Sequence, residues 1–150
     1  MNRIRNIVFA VAVLSCSTTQ VWGMEDLGSF LDTRTQGGKR LNFGGTNPGL
    51  IQNKLGLSVG LHEEIKEILL TESKLEVLPD EIFLFTLLET LVFSKNKGCL
   101  IPDIRSFEHL KRLSICCNGY FVLPDTIWEH RGLEELCVGD NNLDKNAVCA

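Results

Sequence analysis

Three histidines, six cysteines and two pairs of adjacent glutamates are the residues here that could do chemistry. His62, His109 and His130 have no metal-ligand spacing among them, and each stands next to an acidic residue on what should be a solvated or convex surface, so neither a metal centre nor a catalytic base is expected. Cys116-Cys117 is an adjacent pair and lacks the two-residue gap with which Cys-x-x-Cys holds zinc or cycles a disulfide. Gly38-Lys39 has the end of a phosphate loop, but Thr33 occupies the place of its first glycine and Arg40 that of its Ser or Thr. Glu63-Glu64 and Glu134-Glu135 are adjacent carboxylates, which point away from one another on a helix or strand and cannot form the facing pair of a glycosidase. No cofactor, no metal and no enzymatic activity are expected.

The elements that would position any site come from a periodic pattern. Ile65-x-x-Ile68-x-Leu70, Leu88-x-x-Leu91-x-Phe93, Leu110-x-x-Leu113-x-Ile115 and Leu133-x-x-Leu136-x-Val138 stand in register, with 23, 22 and 23 places between successive members of the Ile68 column. Five places after that column come Ser73, Asn96, Asn118 and Asn141, and eleven places after it Pro79, Pro102 and Pro124. Apolar residues separated by one lie on one face of an extended segment, so each unit predicts a short strand with that face turned inward. Asparagine suits the turn that closes the strand, because its amide bonds nearby backbone. The phrases Val77-Leu78-Pro79-Asp80-Glu81-Ile82 and Val122-Leu123-Pro124-Asp125-Thr126-Ile127 then read as helical or 3₁₀ starts with an acidic first turn. In Leu100-Ile101-Pro102-Asp103-Ile104 the isoleucine comes one place early, a length variant for a loop to absorb.

Over about residues 65 to 143 this pattern resembles the leucine-rich-repeat family, in the variant with Leu-Pro-x-x-Ile. The resemblance implies an α/β fold, a right-handed solenoid with short parallel strands on a concave face and short helical or 3₁₀ segments on the convex face. It also implies that the concave face binds other proteins, without naming the partner.

The outward strand positions are the candidate binding residues. The middle column is Leu69, Val92, Ser114 and Cys137, bordered by Glu67, Thr90, Arg112 and Glu135 on one side and by Thr71, Ser94, Cys116 and the glycine at 139 on the other. At about 4.8 Å per strand they make a strip roughly 15 Å long, apolar to small along its middle with a charged border, suited to a peptide segment or loop.

Arg3 and Arg5 precede the apolar run Ile7 to Leu14, then a polar stretch and Val21-Trp22-Gly23, the order of a secretory signal peptide cut before Met24. A secreted or periplasmic protein is expected, with lipid anchoring at Cys16 as the alternative because Val13-Leu14-Ser15-Cys16 is similar to a lipobox. Removing residues 1–23 leaves 13 basic against 19 acidic residues, a net charge of −6, which disfavours nucleic acid as a partner. No apolar run reaches the roughly 18 residues of a membrane span. The five cysteines left cannot all pair within one chain, and Cys116 and Cys137 stand two places out of register on adjacent strands, too far apart to bridge.

Residues 24–54, with Gly37-Gly38, Gly44-Gly45 and Asn47-Pro48-Gly49, read as a flexible glycine-rich lead-in. The repeat domain is expected over 55–150, with a helical cap over about 58–65 inside an N-terminal cap region of 55–66, and strands near 67–71, 90–94, 112–116 and 135–139. After Leu143 too little chain follows for another repeat, so the last strand is a candidate surface for self-association. The expected function is an exported, non-catalytic module that binds another protein, a host protein being one option. The alternatives are the recognition half of a larger enzyme or an envelope or carbohydrate binder.

Overall fold

The computed structural model describes residues 31–32, 39–57 and 61–144; the expected signal peptide, lipobox and Cys149 lie outside the described residues. Among the described residues six strands form one sheet in chain order: β1 (Leu31–Asp32), β2 (Lys39–Asn42), β3 (Ile65–Leu69), β4 (Thr90–Val92), β5 (Arg112–Ser114) and β6 (Glu135–Cys137). β1 pairs antiparallel with β2, while β2 to β6 run parallel, each return made on the opposite side of the sheet. Those returns carry helix α1 (Pro48–Leu57), the 3₁₀ turns Asp80–Leu84 and Ile104–Ser106, and helix α2 (Asp125–Glu129). This is the expected α/β solenoid of strand, turn and short helix.

Register explains the core. Leu41, Ile68, Leu91, Leu113 and Leu136 lie opposite one another on successive strands. Two places on, Phe43, Leu70, Phe93, Ile115 and Val138 form a second buried column. From the far side Ile82, Ile104 and Ile127 close the interior. Pro79 and Pro124 cap the turns in which two of these isoleucines sit, their extended backbones leading straight into the helical segment. In the 22-residue unit the cap moves from proline to Asp103, whose carboxylate accepts from Arg105 N at 3.1 Å. The missing residue is thereby absorbed in the turn, and Ile104 still reaches the core.

The asparagine column locks the units together. Asn96 is fully buried; its Oδ1 accepts from Ser73 N at 2.9 Å, and its Nδ2 donates to Leu70 O at 2.7 Å. Asn118 repeats this one unit on, accepting from Asn96 N and donating to Phe93 O, and Asn141 accepts from Asn118 N. Ser73 does part of the work, donating to Phe43 O at 3.0 Å. The residue before this column adopts a left-handed backbone in every unit: Gly45, Glu72, Lys95, Cys117 and Asp140, with φ between 54° and 72°.

The lead-in reading needs correction. From Lys39 the chain is folded: β2 and α1 make a further unit, with Leu41, Phe43, Ile51 and Leu55 fully buried. Helix α1 packs beside the 3₁₀ turn Asp80–Leu84 of the next unit, and of the cap expected over 58–65 the described part is 3₁₀ at Leu61, a turn over 62–64 and, from Ile65, already β3. Asn47-Pro48-Gly49 is a helix start and not a free turn: Asn47 Oδ1 accepts from Leu50 N at 2.9 Å, with proline in the first helical position. Strand positions also differ slightly, β3 beginning at Ile65 where about 67 was expected.

Candidate binding face

Each strand presents two or three side chains away from the core, and register assembles them into rows. Glu67, Thr90, Arg112 and Glu135 lie opposite one another, as do Leu69, Val92, Ser114 and Cys137. Thr71, Ser94 and Cys116 continue each strand by two places on the same side. All eleven sequence-identified residues therefore share one face. β2 adds Arg40 opposite Glu67 and Asn42 opposite Leu69, lengthening the rows to five strands. The signal for this unit was present as Leu41-x-Phe43 with Thr46 five places after Leu41, but its 27-residue distance to Ile68 falls outside the 22–23 rhythm of the others.

The charged border is largely self-neutralised. Arg40 Nε lies 2.6 Å from Glu67 Oε2, and Arg112 Nε 3.3 Å from Glu135 Oε2, with Thr90 between the two pairs. On the leading edge Lys39 pairs with Glu64, and Glu89 takes Lys66 Nζ at 2.7 Å on one oxygen and Lys111 Nζ at 2.8 Å on the other. The Lys111 and Lys66 hydrogen bonds hold the Glu89 carboxyl down at about 2. At the opposite edge Lys95 Nζ contacts Glu72 at 2.6 Å.

Between these borders lie apolar and small side chains. Leu69 and Val92 are half-buried and shoulder to shoulder. Beyond them hydroxyls and thiols bond to one another: Ser94 Oγ and Ser114 Oγ are 3.0 Å apart, Cys116 N donates to Ser94 Oγ at 3.2 Å, and Ser114 Oγ donates to Cys116 Sγ at 3.7 Å. Ser94 is thus buried and turned to internal work, a departure from its expected role as an exposed contact. Cys137 lies opposite Ser114, two places from Cys116, and no disulfide joins Cys99, Cys116, Cys117 and Cys137. Burial, then the Cys137 thiol, pushes the Cys116 thiol up to about 11, and burial alone does the same to Cys99, so both are neutral thiols at pH 7.

The histidines are dispersed. His62 stacks edge-on against Phe85 at 4.7 Å, and His130 Nε2 lies 2.8 Å from Phe107 O. Both are half-buried, packed on the core from a surface expected to be solvated or convex, and His109 is exposed. Among the described residues no three metal-ligating side chains converge, and no helix is long and apolar enough to cross a membrane.

Comparison with known proteins agrees with this architecture. The volume-regulated anion channel subunit LRRC8E of Xenopus laevis is 33% identical over 82 residues, and subunit LRRC8D of Rattus norvegicus 32% identical over 87. These stretches cover 53% and 56% of this chain but 10% of either relative. A solved leucine-rich-repeat protein of Leptospira interrogans superposes on 58% of the chain and 22% of its own, with a TM-score of 0.53 at 24% identity. This chain has the leucine-rich-repeat fold. No family model matches the sequence. The fold suggests a protein-binding repeat module.

Proposed function

We propose that this leucine-rich-repeat protein is an exported, non-catalytic module that binds another protein across the strand face. The observation that carries the reading is the middle row Leu69, Val92, Ser114 and Cys137, apolar to small, extended at one end by the polar Asn42 and flanked by carboxylates and bases that already satisfy one another. A trough whose borders are charge-paired has little pull on a small ion, while its half-exposed Leu69 and Val92 supply the apolar centre and the paired charges the polar rim of a protein interface. The aromatic residues nearest the trough, Phe43 and Phe93, are buried inward, which disfavours a sugar platform. Export is supported by the basic, apolar and small-residue order of residues 3–23. The shared stretch is a tenth of the channel subunits, so the module carries over from them, not the channel.

The test is capture from candidate host or envelope extracts by the immobilised full chain. Val92→Glu, at the centre of the trough, should abolish capture of a partner that the wild type retains, while Thr86→Glu on the opposite side should not. Equal behaviour of the two variants would sink the assignment. His130→Ala is a poor control because it removes the contact to Phe107 O, and Arg112→Glu would set two carboxylates together at Glu135.

A further inference from the structure

On the flank of the solenoid, the chain leaves each asparagine turn and crosses towards the proline in three parallel passes, Lys74 to Asp80, Lys97 to Asp103 and Gly119 to Asp125. Leu100 N donates to Glu76 O at 2.9 Å and Gly98 N to Asn118 O at 3.3 Å, so the passes lie side by side. Halfway along each pass is a large apolar side chain in solvent: Val77 exposed by 61%, Leu100 by 69% and Val122 by 67%, with Phe121 beside the last at 68%. All three midway residues occupy the same repeat position, nine places after the Ile68 column. Their neighbours Leu78 and Leu123 are the ones buried, so core packing does not call for them.

The charges are arranged about this midline. Exposed Lys74 and Lys97 lie on one side of it and exposed Asp80, Asp103 and Asp125 on the other, three places either way from the apolar residue. Glu76, exposed beside Val77, is the one carboxylate standing between Lys74 and the midline; Glu72 is occupied by Lys95, and Asp103 is shared with Arg105.

We propose that this flank is where a second copy of the chain docks, about a two-fold axis running along the apolar midline. Such an axis lays each midline residue on its own counterpart and turns the lysine side of one copy onto the aspartate side of the other, Lys74 facing the second copy's Asp80. A two-fold axis across the midline would instead set lysines against lysines and aspartates against aspartates, and a self-complementary patch is what a closed dimer needs. The four apolar side chains expose on the order of 400–500 Å², near the upper size of an unpartnered patch on a monomer. That is about half of the roughly 800 Å² that each partner contributes to a standard interface, leaving the charged rows to complete it. The strand face lies on a different side of each unit and stays open in the dimer.

Sedimentation of the full chain up to about 100 µM tests this. The wild type should dimerise. Leu100→Glu, which puts two carboxylates together on the axis, should raise the dissociation constant at least about tenfold, while Leu84→Glu, an exposed apolar position off the flank, should leave it unchanged. Lys74→Asp should weaken the dimer and Lys74→Asp with Asp80→Lys should restore it, because the exchange rebuilds the same pair with its partners reversed. A monomeric wild type, association indifferent to Leu100→Glu, or a double variant no better than the single one would overturn the proposal. Assembly through the apolar residues 7–14 would show itself as the second of these results.

Discussion

Replacing Asn96 by alanine should be the most damaging single change outside the leucine columns. Its side chain has no exposure, its Oδ1 takes Ser73 N at 2.9 Å and Leu75 N at 3.3 Å, and its Nδ2 serves Leu70 O at 2.7 Å with Phe93 O and Ser94 O at 3.2 Å. Truncation leaves two buried N–H groups without an acceptor and takes a donor from Leu70 O. At about 1–3 kcal/mol for each orphaned group, with some relief from relaxation, the loss is about 3–4 kcal/mol. Against a total stability of about 5–15 kcal/mol that is a large share. In a folded region of this size it lowers the melting temperature by roughly 15 °C. The assay is thermal and urea unfolding followed by circular dichroism, with Asn141→Ala and Asn142→Ala beside it. Asn141 makes equivalent bonds from the last described unit, where it is only half-buried and water can replace part of them, so about 1–2 kcal/mol is expected. Asn142 is exposed and should cost less than about 0.5 kcal/mol. If Asn96→Ala melted with Asn142→Ala, the ladder would not be what couples the units.

Two further outcomes follow from the geometry. Glu89 has its carboxyl depressed to about 2 by Lys111 and Lys66, so its contribution is fully present above the ordinary carboxylate value and is lost as pH falls from about 4.5 to about 2. Screening by solvent reduces this to about 1 kcal/mol, and acid titration of Glu89→Gln should show a shallower loss of stability over that window; an identical acid limb would refute the pairing. Lys95→Val places a β-branched residue at φ 59° and should cost about 1–2 kcal/mol in urea unfolding, while Lys95→Gly should come within about 0.5 kcal/mol of the wild type; equal effects would mean that the left-handed column is unstrained.

How far the candidate face was legible follows from period. A strand repeats every two residues and a solenoid every 22 or 23 here, so Leu69, Val92, Ser114 and Cys137 could be aligned by counting, and the register places them opposite one another. Counting failed where the length changed. The unit of β2 and α1 keeps Leu41 and Phe43 in the core columns but has a 27-residue return with a full helical segment, and its glycines resemble a linker when read without the neighbours that bury it. Ser94 shows a second kind of failure: its column faces outward, yet the hydroxyl of Ser114 and the amide of Cys116 on the next strand draw it into internal bonding.

The sequence by itself determined the fold class, the inward columns, the asparagine column and the places of the isoleucines behind the prolines, because each depends on a side chain's type and its spacing along one chain. Only the tertiary structure decided which charges meet. Arg40 with Glu67, Glu89 with Lys66 and Lys111, and Arg112 with Glu135 are 22 to 27 residues apart and become partners because parallel strands set them side by side. The left-handed residue of each turn was equally hidden, since glycine, glutamate, lysine, cysteine and aspartate all occupy it. There the closing hydrogen bonds of the turn impose the conformation, and the side chain has little say in it.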